Sequence, residues 1–134
     1  MSAVAKRALL IDTDVWIDYL RGRAEAIKFI SQLPERAWIS AISVAELYVG
    51  VREGRERDIL AQLISTLDVV ELNAAIATRG GLLRRDYGRS HGVGLNDALI
   101  AATAIELDFQ LCTLNIKHYP ALNKQQVKQA YANA

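Results

Sequence analysis

An apolar run that ends abruptly on a carboxylate constrains this chain more than any other feature: Ala8-Leu9-Leu10-Ile11 is followed directly by Asp12. Four consecutive apolar residues predict a strand buried on both faces, as in a parallel sheet covered by helices. Parallel strands need crossover helices, and one is predicted at once. Thr13 is placed to cap it, Asp14 is its first residue, and Val15, Trp16, Ile17, Tyr19 and Leu20 are its apolar positions. Ligands of open α/β sheets bind in the crevice at the carboxyl ends of strands. Asp12 is therefore predicted to lie on the floor of a site.

The rest of the chain repeats the alternation. A helix is predicted over residues 24–33, closed by Pro34, then a strand at Ala37-Trp38-Ile39 and a helix from Ser43 to about Gly50. Residues 53–58 read as a mixed-charge turn, 59–67 as a helix, and Val69-Val70-Glu71-Leu72 as a third strand. Asn73 is predicted to cap a long helix to roughly Ser90, interrupted at Gly80-Gly81. After the loop Gly92-Val93-Gly94, Asn96 is predicted to cap a helix over residues 97–107, and residues 109–113 form a fourth strand. A polar loop follows from Asn115 to His118, and a weak helix is expected over residues 124–132. Short apolar strands separated by helices predict an α/β fold with a central parallel sheet of four to five strands.

A chain of 134 residues, 51% apolar and 23% charged, has the balance of one ordinary globular domain. Its net charge of +1 gives no global attraction for a polyanion or a membrane, so any such attraction must be local. No stretch is long and apolar enough for a membrane span, and the N-terminus lacks the apolar core of a signal peptide. The single Cys112 permits no intramolecular disulfide and reads as a small buried hydrophobe, consistent with a cytoplasmic protein.

Three acidic residues share one context: Asp12 ends a strand, Glu46 lies in the helix after the second strand, and Asp97 opens a helix after the glycine loop. Each has a plain structural explanation as well. Ser43-x-x-Glu46 has the spacing of a capping box, and Asp14 and Asp97 sit where the helix dipole favours an acid by about 0.3–1 kcal/mol. Their conjunction points further, because strands of a parallel layer end along one edge and the residues just past them can converge. Several ionised carboxylates gathered together need a counter-charge, and an all-oxygen donor set suits Mg²⁺ or Mn²⁺. His91, His118 and Cys112 lack the spacing of a zinc set. A carboxylate-held cation can neutralise charge building on a phosphate. Arg21, Arg23, Arg52, Arg55 and Arg57, at helix ends, and Arg79, Arg84, Arg85 and Arg89, along the fifth helix, include candidates for tracking phosphates, although most read as solvated faces.

With these residues assembled, the chain resembles the PIN-domain family, specifically the VapC-type toxins of bacterial toxin–antitoxin pairs. The likeness rests on four segments in order. Leu10-Ile-Asp12-Thr-Asp14-Val-Trp-Ile resembles the opening strand and helix, and Ile39-Ser-Ala-Ile-Ser43-Val-Ala-Glu46-Leu the second motif. Asn96-Asp97-Ala-Leu-Ile-Ala-Ala-Thr-Ala104 resembles the third, and Leu111-Cys-Thr113-Leu-Asn115-Ile-Lys-His118-Tyr119 the last. The likeness implies a single three-layer α/β/α PIN domain over residues 1–134. It further implies a Mg²⁺- or Mn²⁺-dependent endoribonuclease that arrests translation, with Asp12, Glu46 and Asp97 as catalytic and metal-holding residues. Implied partners are an RNA substrate and a cognate VapB-like antitoxin that covers the site, often presenting a basic side chain to the carboxylates. A homodimer is implied too, assembling with antitoxin into a heterotetramer or larger complex.

The last motif departs from the family pattern. Many PIN domains carry an acid where Asn115 stands, and some toxins carry one at the position of His118. One firmly held ion is therefore expected, a second needing substrate phosphate, with Asn115, Ser43 and Asp14 as supporting residues. For Asp14 the reading as a dipole-stabilised surface aspartate is favoured. Two alternatives stay open: a catalytically weak PIN-like RNA- or protein-binding module, and a phosphoacceptor receiver domain, against which Leu72-Asn73 at the end of the third strand argues.

Overall fold

Side chains alternate across each strand, so a sheet covered on both faces sends neighbouring residues into different cores. The computed structural model, which describes residues 7–132, shows this division. Leu10 and Leu111 enter one core with Ile76, Ile100, Ala102 and Val127, while Ile11 and Cys112 enter the other with Val15, Trp16, Ile39 and Leu60. The sheet is the middle layer of an α/β/α sandwich.

Five strands, all parallel, make the sheet: β1 (Leu9–Ile11), β2 (Trp38–Ser40), β3 (Asp68–Val70), β4 (Gln110–Thr113) and β5 (Val127–Gln129), in the order β3-β2-β1-β4-β5. Helices α1 (Thr13–Leu20) and α2 (Ala24–Ser31) connect β1 to β2, and α3 (Ala41–Val49) and α4 (Arg55–Ser65) connect β2 to β3. Helices α5 (Ala74–His91) and α6 (Leu95–Leu107) carry the chain back across the sheet to β4, and a short 3₁₀ turn (Ile116–His118) follows. The strand order therefore reverses between β1 and β4, and the crevice at such a switch point is where ligands bind in open α/β folds.

Several sequence expectations are corrected by local chemistry. The tail is not a helix: Val127 is apolar and pairs with Leu111, and Leu111 N–H donates to Gln126 O at 2.8 Å, so the segment adds β5 at the sheet edge. Tyr131 beyond it donates to Asp18 at 2.7 Å and lies under the Arg23 guanidinium, which pins the tail across α1 and α2. The mixed-charge stretch is partly helical, because α4 already starts at Arg55, where Glu56 and Asp58 suit a first turn. Gly80-Gly81 does not interrupt α5. A Cβ at Gly80 would stand 2.5 Å from Leu99 Cδ2 and 3.1 Å from its Cα, so this glycine lets α6 approach closely. Asn73 does cap α5, accepting from Ile76 N–H at 2.9 Å.

Trp16 is fully buried, Tyr19 is half-buried against it, and Tyr48 remains exposed. Among the described residues, no helix is long and apolar enough to cross a membrane.

Candidate active site

The carboxyl ends of β1 and β4 meet at the switch point. Their register pairs Ile11 with Cys112, and Asp12 N–H donates to Cys112 O at 2.9 Å, which sets Asp12 beside Thr113. Asp12, rather than Thr13, caps α1: its Oδ1 accepts from Thr13 N–H at 2.8 Å. Asp14 follows in the first turn of the same helix. Glu46 comes from the middle of α3, and Asp97 from the first turn of α6. Gly94 caps α6, so Asn96 lies inside the helix with its amide free to reach outward.

Asp12 is 6% exposed and held by three donors. Besides the Thr13 N–H, its Oδ2 accepts from Thr113 Oγ1 at 2.7 Å and from the Tyr119 hydroxyl at 2.7 Å. The Tyr119 hydroxyl also stands 3.4 Å from Asp97 Oδ1, so a single phenol reaches both the residue that follows β1 and a residue of α6. Glu46 is tied in from the other side: Thr13 Oγ1 lies 2.8 Å from its Oε1, and Asn96 Nδ2 donates to its Oε2 at 3.3 Å. Thr13 Oγ1 is also 2.7 Å from Ser43 Oγ. A carboxylate only accepts, so Thr13 gives its one proton to Glu46 and takes one from Ser43. Ser43 and Glu46 thus form no capping box; Ser40 caps α3, accepting from Ile42 N–H at 3.0 Å. His118, exposed on the 3₁₀ turn, brings Nδ1 to 3.6 Å from Asp97 Oδ2.

Asp14 is not a solvated surface acid. It is half-buried, its Oδ2 accepts from Leu114 N–H at 3.1 Å, and its Oδ1 is buried with no hydrogen-bond partner among the described residues. Burial first, and the Asp14 carboxylate second, push the Asp12 carboxyl up to about 7. Burial likewise raises Asp14, and it raises Asp97, where His118 opposes the shift and Glu46 adds to it. Carboxyls this crowded are short of positive charge.

These residues fit a hard divalent cation. The donors are all oxygen, one buried carboxylate oxygen lacks any partner, and the charge deficit is centred on Asp12. As they stand, no three acidic, histidine or cysteine side chains among the described residues are placed to hold an ion between them. Mg²⁺ usually keeps several waters and takes one or two carboxylates plus phosphate oxygens, so an open half-shell suits it better than a cage.

Asn115 does not stand opposite Asp12; Thr113 does. Asn115 is exposed, and it is its backbone N–H, not its side chain, that donates to Thr113 Oγ1 at 3.1 Å. Sequence reasoning missed Thr13, Asn96, Thr113 and Tyr119 as partners of the carboxylates. Thr113 was legible in principle as a hydroxyl ending a buried strand beside β1. Tyr119 was not, since nothing in its spacing marks a ring that turns inward.

Residues 9–119 match the PIN-domain family model. The chain is 39% identical over 127 residues to Ribonuclease VapC10 of Mycobacterium tuberculosis, covering 92% of this chain and 93% of that protein. It is 39% identical over 115 residues to Ribonuclease VapC19 of the same organism, covering 83% and 91%. Among solved structures, a toxin–antitoxin complex from Klebsiella pneumoniae superposes with a TM-score of 0.80 at 28% identity, covering 94% of this chain and all of that one. The receiver-domain alternative falls with these matches, and β3, whose end it would need at the site, is an edge strand.

Proposed function

The chain belongs to the PIN-domain family, among the VapC ribonucleases, and from that premise we propose a metal-dependent endoribonuclease that acts as the toxin of a toxin–antitoxin pair. One observation carries the site: Asp12, just past β1, and Asp97, on α6, meet at one phenol, near an Asp14 whose buried Oδ1 has no partner among the described residues. Asp12, Glu46 and Asp97 would hold a Mg²⁺ or Mn²⁺ ion, with Asp14 lending a fourth charge that Asn115 cannot. The ion, when bound, supplies Lewis acidity toward phosphoryl oxygen and the charge that offsets the carboxylates.

The chain's own groups do the remaining work. Thr13, Thr113 and Tyr119 hold the acceptor oxygens of Glu46 and Asp12 in fixed directions, so little is reorganised when a phosphodiester arrives. Asn96 and His118, the exposed donors at the mouth, lie where a phosphate or base edge would approach. An acidic site repels RNA unless cations surround it, and the arginines of α5 are the nearest supply on the elements packed against α6. Arg79 and Arg85 are already held by Glu106 and Asp86, which leaves Arg84 and Arg89 as the candidates.

As a toxin of this kind the protein would form a homodimer and bind a VapB-like antitoxin, in a heterotetramer or larger complex. The Klebsiella pneumoniae neighbour is a toxin–antitoxin complex, which supports an antitoxin partner. The test is incubation of the purified protein with total RNA across a Mg²⁺ and Mn²⁺ titration. Discrete fragments that appear only with metal support the proposal, and intact RNA at every metal concentration refutes it.

A further inference from the structure

Tyr119 has no part in any motif of paired acids, yet it is the only side chain among the described residues that reaches both Asp12 and Asp97. Its ring is 2% exposed and belongs to the core on the α5–α6 side, so the hydroxyl is held by packing rather than by a mobile loop. The 3₁₀ turn over residues 116–118 delivers it there: Tyr119 N–H donates to Ile116 O at 2.9 Å, and Pro120 follows.

A phenol has one proton. It is given to Asp12 Oδ2 at 2.7 Å, because the 3.4 Å contact to Asp97 Oδ1 is the longer and weaker one. Thr113 donates to the same Oδ2, and Thr13 N–H to Oδ1, so Asp12 is fixed in one rotamer by donors from three elements. Asp97 has no such clamp. Its contacts are the phenol oxygen and the exposed His118 ring. Two carboxylates close together repel, and the phenol oxygen stands 2.7 Å from one and 3.4 Å from the other.

We propose that Tyr119 is a positioning residue of the metal site, its buried hydroxyl fixing the Asp12 carboxylate and spacing it from Asp97. The inference rests on the reading that these carboxylates hold a divalent cation. Partners behind a metal ligand orient it, and losing one typically weakens metal binding about 10–100-fold. Loss of this donor acts in that direction, because Asp12 gains rotamer freedom.

The experiment is Mn²⁺ titration calorimetry on the full chain at pH 7.5 for wild type, Tyr119→Phe and Asp12→Asn, with thermal melting in chelator beside it. Tyr119→Phe keeps the ring in the core and removes only the hydroxyl. The expected result is a 10–100-fold weaker Mn²⁺ affinity for Tyr119→Phe and none measurable for Asp12→Asn. Wild-type affinity in Tyr119→Phe, with binding lost in Asp12→Asn, overturns the positioning role and leaves the metal site standing. A lowered melting temperature with unchanged affinity of the folded protein marks a structural tyrosine and overturns it equally. Binding that survives Asp12→Asn overturns the site itself, and this inference with it.

Discussion

Removing the Asp12 charge should flatten the pH dependence of stability in the metal-free protein. The Asp12 carboxyl is shifted from 3.8 to about 7 in the folded chain, chiefly by burial and next by Asp14. A raised folded-state pKa contributes stability that is complete below the unfolded value and is lost as pH rises through the folded one. With these two values, the loss between pH 5 and pH 8 integrates to about 2–3 kcal/mol. Asp14 and Asp97, also raised by burial, act in the same sense. Asp12→Asn removes the titrating group, although it also disturbs the Thr113 and Tyr119 hydrogen bonds, so absolute stabilities mix two effects. The slope does not. Urea unfolding in EDTA at pH 5 and pH 8 should show wild type losing about 2–3 kcal/mol more than Asp12→Asn over that interval. Mn²⁺ at 100 times its dissociation constant should return about 2.7 kcal/mol to wild type at pH 8. Equal slopes for the two proteins would show that burial of the Asp12 charge is not costly and would remove the electrostatic case for a cation.

Two further outcomes follow from packing. Gly80→Ala should destabilise by about 1 kcal/mol in urea unfolding, since overpacking against the Leu99 backbone outweighs the gain in helix propensity, whereas Gly81→Ala, with nothing within 4 Å, should stabilise by roughly 0.5–1 kcal/mol. Equal effects at the two positions would contradict the close α5–α6 approach. Cys112 is fully buried, and burial pushes its thiol up to about 11, so alkylation of the native protein at pH 8 should proceed only at the rate of opening. Labelling as fast as for the urea-unfolded chain would contradict the placement of β4 inside the sheet, between β1 and β5.

The strand–helix alternation and the parallel sheet were legible because short apolar runs recur between stretches of helical spacing bounded by capping residues. Asp12, Glu46 and Asp97 were singled out by their shared context at strand and helix boundaries, and the structure links Asp12 to Asp97 through Tyr119 and to Glu46 through Thr13. What was illegible depended on tertiary contacts. Helix caps shifted by one to three residues, because Asp12 and Ser40 cap from the ends of the strands themselves, ahead of the residues expected to do so. The tail is polar at most positions, yet pairing of Val127 with Leu111 decides its state over helix propensity. Asp14 looked like a surface acid because sequence cannot show that the Leu114 N–H, just past β4, donates to it from 100 residues away. Tyr119 was hidden for the same reason: an aromatic in a polar loop gives no sign that its hydroxyl ends between two carboxylates.

The central claim is that Asp12, Glu46 and Asp97 together hold the ion on which RNA cleavage depends. The most direct measurement is the Mn²⁺ dependence of cleavage for purified wild type, Asp12→Asn, Glu46→Gln and Asp97→Asn, each shown to be folded by its melting transition. Wild type should cut only with metal. Asp12→Asn and Asp97→Asn should show no metal-dependent cutting at any concentration, and Glu46→Gln should fall by at least about 10-fold. Full metal-dependent cleavage by a folded Asp12→Asn or Asp97→Asn protein would contradict the assignment of this site.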